Sequence, residues 1–160
     1  MKKLLLIAAV AMSTVSFAQS GAKEDLEIIQ SIYGKDKKDL VSEYMKLEEP
    51  KAAEFWKMYD AYELDRKALG QKKLQLLEDY AKNYETLTDE KADELAVATL
   101  KNNEAYNKLN SKYYKKAKKI VGALNAAKFM QLETALQTAV RNEIQSSVPF
   151  IGEIERTKKH

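Results

Sequence analysis

From Pro50 onward, large apolar and aromatic side chains return in steps of three, four or seven residues: Phe55, Tyr59, Tyr62, Leu69, Leu76, Tyr80 and Leu87. That spacing lays them along one stripe of a helix buried on a single seam. The pattern restarts with Ala92, Leu95, Thr99, Tyr106, Leu109, Tyr113 and Ile120 and ends near Gly122. It starts a third time with Phe129, Leu132, Leu136, Val140 and Ile144 and stops before Pro149, because proline disfavours helix in the residue preceding it. Upstream, Leu26 to Tyr33 and Asp36 to Leu47 read as two shorter helices divided at Gly34. No stretch sustains the two-residue alternation of a half-buried strand, so no sheet is expected.

The same device opens three of these helices. Leu47 to Lys51 leads to Phe55, Leu87 to Lys91 leads to Leu95, and Leu124 to Lys128 leads to Leu132, each with Leu, then Lys four residues on, then a large apolar side chain four further. Thr88 and Asn125 are good N-caps, Pro50 is tolerated in a first turn, and Asp89 and Glu90 complement the helix dipole. Leu124 is placed to pack back on Phe129 as a hydrophobic staple. The expected fold is therefore all-α: an elongated antiparallel helical bundle or hairpin of about four main helices, with long helices near 50–84 and 88–121. At 1.5 Å per residue such a helix is a rod of about 50 Å. Gly70 is the one interruption of the first rod, a candidate bend or close helix contact.

The N-terminus changes where this fold is expected to work. Lys2 and Lys3, the apolar run Leu4 to Met12 and the small-x-small end Ser16-Phe17-Ala18 make a secretory signal, with cleavage after Ala18. The run is too short for a membrane span, which needs roughly 20 residues. Removal of 18 of the 160 residues leaves 142, suited to a single helical domain over 19–151 followed by a flexible basic tail at 152–160. The formal charge of +3 includes Lys2 and Lys3, so the mature chain carries only +1. General electrostatic capture of nucleic acid or of an anionic membrane is not implied. With no cysteine, stability rests on packing and no lipid is attached at an N-terminal Cys. The expected location is the periplasm, as a soluble protein.

Enzymatic chemistry has few suppliers. The only histidine is His160, at the chain end, and there is no glycine-rich phosphate loop. Acidic neighbours such as Asp89 and Glu90 sit where helix dipoles favour them. No catalytic residue, cofactor or metal site is assigned. The candidate partner-binding residues are Trp56, Lys108, Lys112, Tyr114, Lys115, Lys116 and Lys119. Phe55, Trp56, Tyr59 and Tyr62 read as core with Trp56 partly exposed, or as an aromatic client surface. Lys108, Lys112, Lys115, Lys116 and Lys119 share one helix face, either solvated or drawing in acidic partners, with Tyr114 off the seam beside them. Arg66 occupies a seam position and either pairs with Glu133 or extends its stem to water.

The signal segment, the helical mature chain and the starts Leu87-Thr88-x-x-Lys91 and Leu124-Asn125-x-x-Lys128 resemble the LTxxQ pattern of the Spy/CpxP family of periplasmic stress proteins, with lysine where that family has glutamine. Over roughly 40–150 the chain is also similar to exported helical proteins of Gram-negative bacteria that carry an FW-x-x-Y-x-x-Y segment (Phe55, Trp56, Tyr59, Tyr62) and an F-x-Q-L-E segment (Phe129, Gln131, Leu132, Glu133). The first resemblance implies a curved helical homodimer that binds unfolded protein clients without ATP or restrains an envelope stress sensor. Two readings follow: a chaperone-like periplasmic binding protein, or a structural adaptor that packs helix to helix with itself or an envelope protein, with neither nucleic acid nor a membrane span involved.

Overall fold

The computed structural model of the chain describes residues 27–146; the expected signal segment and basic tail lie outside them. Among the described residues the chain is all-α, with four helices and no strand. Helix α1 covers 27–33, α2 Lys37–Met45, α3 Lys51–Asn83 and α4 Asp89–Ser146, with a 3-10 turn at Tyr84–Thr86 between the last two. The first helix ends where expected: Gly34 takes the left-handed conformation (φ +68°), and its N–H donates to the Gln30 carbonyl at 2.8 Å.

Two long helices stand where the periodicity predicts them. Helix α3, 33 residues, is about 50 Å long and runs through Gly70 without a break. Its start is capped by Glu49, whose carboxylate accepts from the Ala53 N–H, and α4 is capped by Thr88, whose hydroxyl accepts from the Lys91 N–H; both distances are 3.3 Å.

Helix α4 is two arms broken at Gly122, whose φ of 83° and ψ of 167° are not helical. The rings prove a reversal. Tyr62 meets Tyr113 at 5.3 Å and Phe129 at 5.4 Å between centroids, yet a straight helix would hold residues 113 and 129 about 24 Å apart. The first arm therefore runs antiparallel to α3, with Lys112 bonded to Asp65 and Lys91 to Asp79. The second arm runs parallel to α3, with Phe129 against Phe55 and Gln137 against Tyr62.

The helix start expected near Asn125 falls at this turn, just after Gly122, but the expected cap and staple do not form. Asn125 caps nothing ahead of it; its amide donates back to the Val121 carbonyl at 3.3 Å. Leu124 is 83 % exposed and staples nothing, because it sits on the outside of the reversal. Thr99 is also exposed: the buried line of the first arm runs Leu95, Asn102 and Leu109 in steps of seven.

The main core joins α2, α3 and both arms through Val41, Met45, Phe55, Tyr59, Tyr62, Tyr113 and Phe129. Edge-to-face rings fill it, with Phe129 against Phe55, Tyr59 and Tyr62. A second cluster, Ile29 with Leu136 and Val140, pins α1 to the second arm. Coverage is uneven along α3. All of its buried residues, from Ala52 to Arg66, lie in the first half.

Candidate functional site

Three features could carry function: a buried ionic cluster, a basic helix face, and a half-covered hairpin beyond them. The cluster forms where α2 crosses α3 and the second arm. Lys37 lies on the face that carries Val41 and Met45, spaced four apart, so α2 can bury its apolar side only by burying the ammonium too. Lys37 Nζ donates to Glu63 Oε1 at 2.6 Å and to Glu133 Oε2 at 2.7 Å. Tyr62 Oη donates to the same Glu133 oxygen at 2.9 Å and accepts from Gln137 Nε2 at 3.0 Å. Glu133 Oε1 is buried without a hydrogen-bond partner.

Arg66 is buried, which rules out a stem reaching to water, and its partner is not the expected one. Its Nε and Nη2 donate to Glu63 at 3.0 and 3.2 Å, one turn back on the same helix, while Glu133 is taken by Lys37 and Tyr62. The formal charges of Lys37, Arg66, Glu63 and Glu133 sum to zero, as buried charges require. Burial opposes ionisation of Glu63, but Lys37 and then Arg66 outweigh it and hold the carboxyl below its ordinary range. Burial, and then the Glu133 charge, push the Tyr62 hydroxyl well above the ordinary phenol value. Sequence reasoning found Arg66, Tyr62 and Glu133 but missed Lys37; the signal was the Lys37, Val41, Met45 spacing.

The expected partner-binding residues divide into committed and open side chains. Lys108 pairs with Glu104 at 2.8 Å, and Lys112 with Asp65 at 2.8 Å. The Tyr113 hydroxyl donates to the same Asp65 oxygen, and the Lys112 and Lys116 ammonium groups stand 5.0 and 4.8 Å over the Tyr113 ring. Hydrogen bonds from Lys112 and then Tyr113 hold the Asp65 carboxyl below its usual range. Lys115 and Lys119 are exposed and have no ion-pair partner among the described residues. Tyr114 is half-buried and packs on the main core, not the fully displayed aromatic its off-seam position suggested. Trp56 is half-buried too, edge-on to Phe55 and Tyr59, with Lys38 Nζ 5.3 Å over its ring.

Beyond Arg66 burial falls away among the described residues, although Val140, Arg141 and Ile144 of the second arm still meet Lys73, Leu74 and Leu77 of α3. No residue from 67 to 87 is buried, although Leu69, Leu74, Leu76, Leu77, Tyr80 and Leu87 all lie there. On the facing first arm only Leu95 and Asn102 are buried between 89 and 106, and Leu100 is 68 % exposed. Among the described residues, two helices touching along one line bury little of the flanks of their seam.

At the junction of the covered and open halves lies a cavity of about 40 Å³. Its cationic lining is Lys37, Arg66, Lys73 and Arg141; Asn103, Tyr106 and Gln137 add polar groups, and Leu74, Leu77, Val140 and Ile144 an aliphatic wall. Among the described residues no group of three or more His, Cys, Asp or Glu side chains is placed to hold a metal ion. None of the described helices is long and apolar enough to cross a membrane. Neither models of protein families, nor curated proteins, nor solved structures match this chain.

Proposed function

We propose that this chain is an exported, periplasmic helical binding protein that works without nucleotide and holds apolar segments of other polypeptides along the open half of its hairpin. The observation that carries the reading is the end of burial in α3 at Arg66: the helix continues to Asn83, rich in Leu and Tyr, with half-covered side chains and nothing buried. An amphipathic segment laid against two such helices is a recurrent mode of peptide recognition. The exposed Lys115 and Lys119 beside Lys112 and Lys116 add attraction for acidic stretches of a client. The likeness of the helix starts to the Spy/CpxP pattern supports the same reading: a stress-linked chaperone, or an accessory to an envelope sensor, active as a homodimer.

The competing reading is an adaptor that uses the same open half to pack against its own copy or an envelope partner. Light scattering from an unfolding model protein separates them. The chaperone reading expects protection at substoichiometric to equimolar ratios, weakened by Leu100→Asp and by charge reversal at Lys115 and Lys119. Absence of protection together with a stable self-assembled complex would establish the adaptor instead.

A further inference from the structure

We propose that the corner at Gly122 is a docking tip for the surface of an anionic lipid bilayer. The near-neutral mature chain conceals a segregation of charge. From Ala105 to Leu132 it holds seven lysines and no Asp or Glu, while the remainder, with 18 basic and 24 acidic side chains, carries −6. That stretch is the end of the first arm, the reversal and the start of the second. Lys108 and Lys112 are answered by Glu104 and Asp65, and Lys116 stands over the Tyr113 ring. Lys115, Lys118 and Lys119 are exposed on one face of the first arm and have no ion-pair partner among the described residues. Lysines grouped in this way draw a helix to anionic head groups, each contributing about a fivefold factor near the surface.

The shape of the corner favours a bilayer over a polypeptide. Leu124, on the outside of the reversal, is the most exposed large apolar side chain among the described residues. No atom lies within 4 Å of where a Gly122 Cβ would stand, so the chain protrudes there and presents no groove for a peptide. Lys118, Lys119 and Leu124 all lie within about one helical turn of Gly122. One turn beyond Leu124, Lys128 sets its ammonium 4.8 Å over the ring of Tyr44, itself partly exposed. A leucine, a cation and a phenol ring together suit the boundary between head groups and acyl chains, which takes up apolar side chains and leaves their polar neighbours wet. The open half of the hairpin lies toward the other end of α3, since Lys91 bonds Asp79 whereas Phe129 meets Phe55. A membrane held at the corner therefore leaves that half free.

The test is co-sedimentation of the purified mature chain with vesicles of equal parts phosphatidylglycerol and phosphatidylcholine, with phosphatidylcholine vesicles in parallel and soluble polyglutamate titrated separately. Saturable partitioning onto the anionic vesicles is expected, at least about tenfold weaker in about 0.5 M salt, where screening shortens the reach of each lysine. Phosphatidylcholine alone is expected to bind as weakly. Lys118→Glu is expected to cut partitioning about fivefold or more, and Leu124→Asp by a similar factor. Both positions are exposed, so the melting temperature without vesicles should not move. Lys101→Glu makes the same charge change on the open half and is expected to alter partitioning less than about twofold. No sedimentation with anionic vesicles, equal sedimentation with phosphatidylcholine, an unaffected Leu124→Asp, or a Lys101→Glu as damaging as Lys118→Glu would each overturn the assignment. Binding to polyglutamate without binding to vesicles would give the lysines to acidic polypeptide instead. The assay contains no client, and Leu124 and Lys118 have no part in the holding of polypeptides, so either reading can fail without the other.

Discussion

The Lys37 ammonium and the Glu133 carboxylate, 96 residues apart in the chain, meet at 2.7 Å with both side chains out of water. A buried ion is tolerated only while its counter-ion is present, so removing either partner alone strands the other. Lys37→Met is expected to destabilise the fold by about 3–5 kcal/mol, read as a fall in the urea midpoint. The double variant Lys37→Met, Glu133→Leu leaves Glu63 with Arg66 and is expected to recover most of that loss. A double variant no more stable than Lys37→Met would show that the pair is not what the single change disrupts.

Acid should weaken the same region. Glu63 is held below its ordinary value of 4.5 in the fold, so the folded state binds its proton less readily than the unfolded chain. Its contribution is complete above that value and disappears as pH falls through the lower, folded one. Asp65, also lowered from 3.8, acts in the same direction. Melting temperature is expected to be level near neutrality and to drop below about pH 4.5, with a smaller drop in Glu63→Gln.

The reversal at Gly122 depends on its backbone. At φ 83° and ψ 167° the residue occupies a region essentially reserved for glycine, and no atom lies within 4 Å of where a Cβ would stand. Gly122→Ala is expected to cost about 1–3 kcal/mol through conformation alone, with no steric contribution. Chemical denaturation measures it directly.

The two sides of that turn should respond oppositely to truncation. Leu124→Ala, at an 83 % exposed position, is expected to change stability by less than about 0.5 kcal/mol. Phe129→Ala, five residues later and fully buried among Phe55, Tyr59 and Tyr62, is expected to cost about 3–5 kcal/mol. A large loss at Leu124 would restore the staple.

The helices were legible because their signals are local. Thr88 caps as its side chain allows, Gly34 divides two helices as its left-handed conformation permits, and the seam of Phe55, Tyr59 and Tyr62 is buried as its period requires. What was not legible depends on how helices meet. The motif around Leu124 matches two genuine helix starts, but only the fold-back reveals that it lies on the outside of a corner. Arg66 was visible as a charge in need of a partner. Choosing Glu63 over Glu133 depended on Lys37 arriving from α2, which no pattern within α3 or the second arm contains. The unburied half of α3 was invisible for the same reason: the seam residues look alike along all of α3, and only the packing of other helices against it decides which are buried.

Because the chain turns back at a single residue, the arm that closes the bundle is also the last described portion to be made. Until it arrives, Lys37 lacks its Glu133 partner, and the rings of Phe55 and Tyr62 lack the face that Phe129 covers. A chain ending before residue 123 would thus be both sticky and short of one buried counter-ion. Glu133, on that arm, brings the second carboxylate to Lys37.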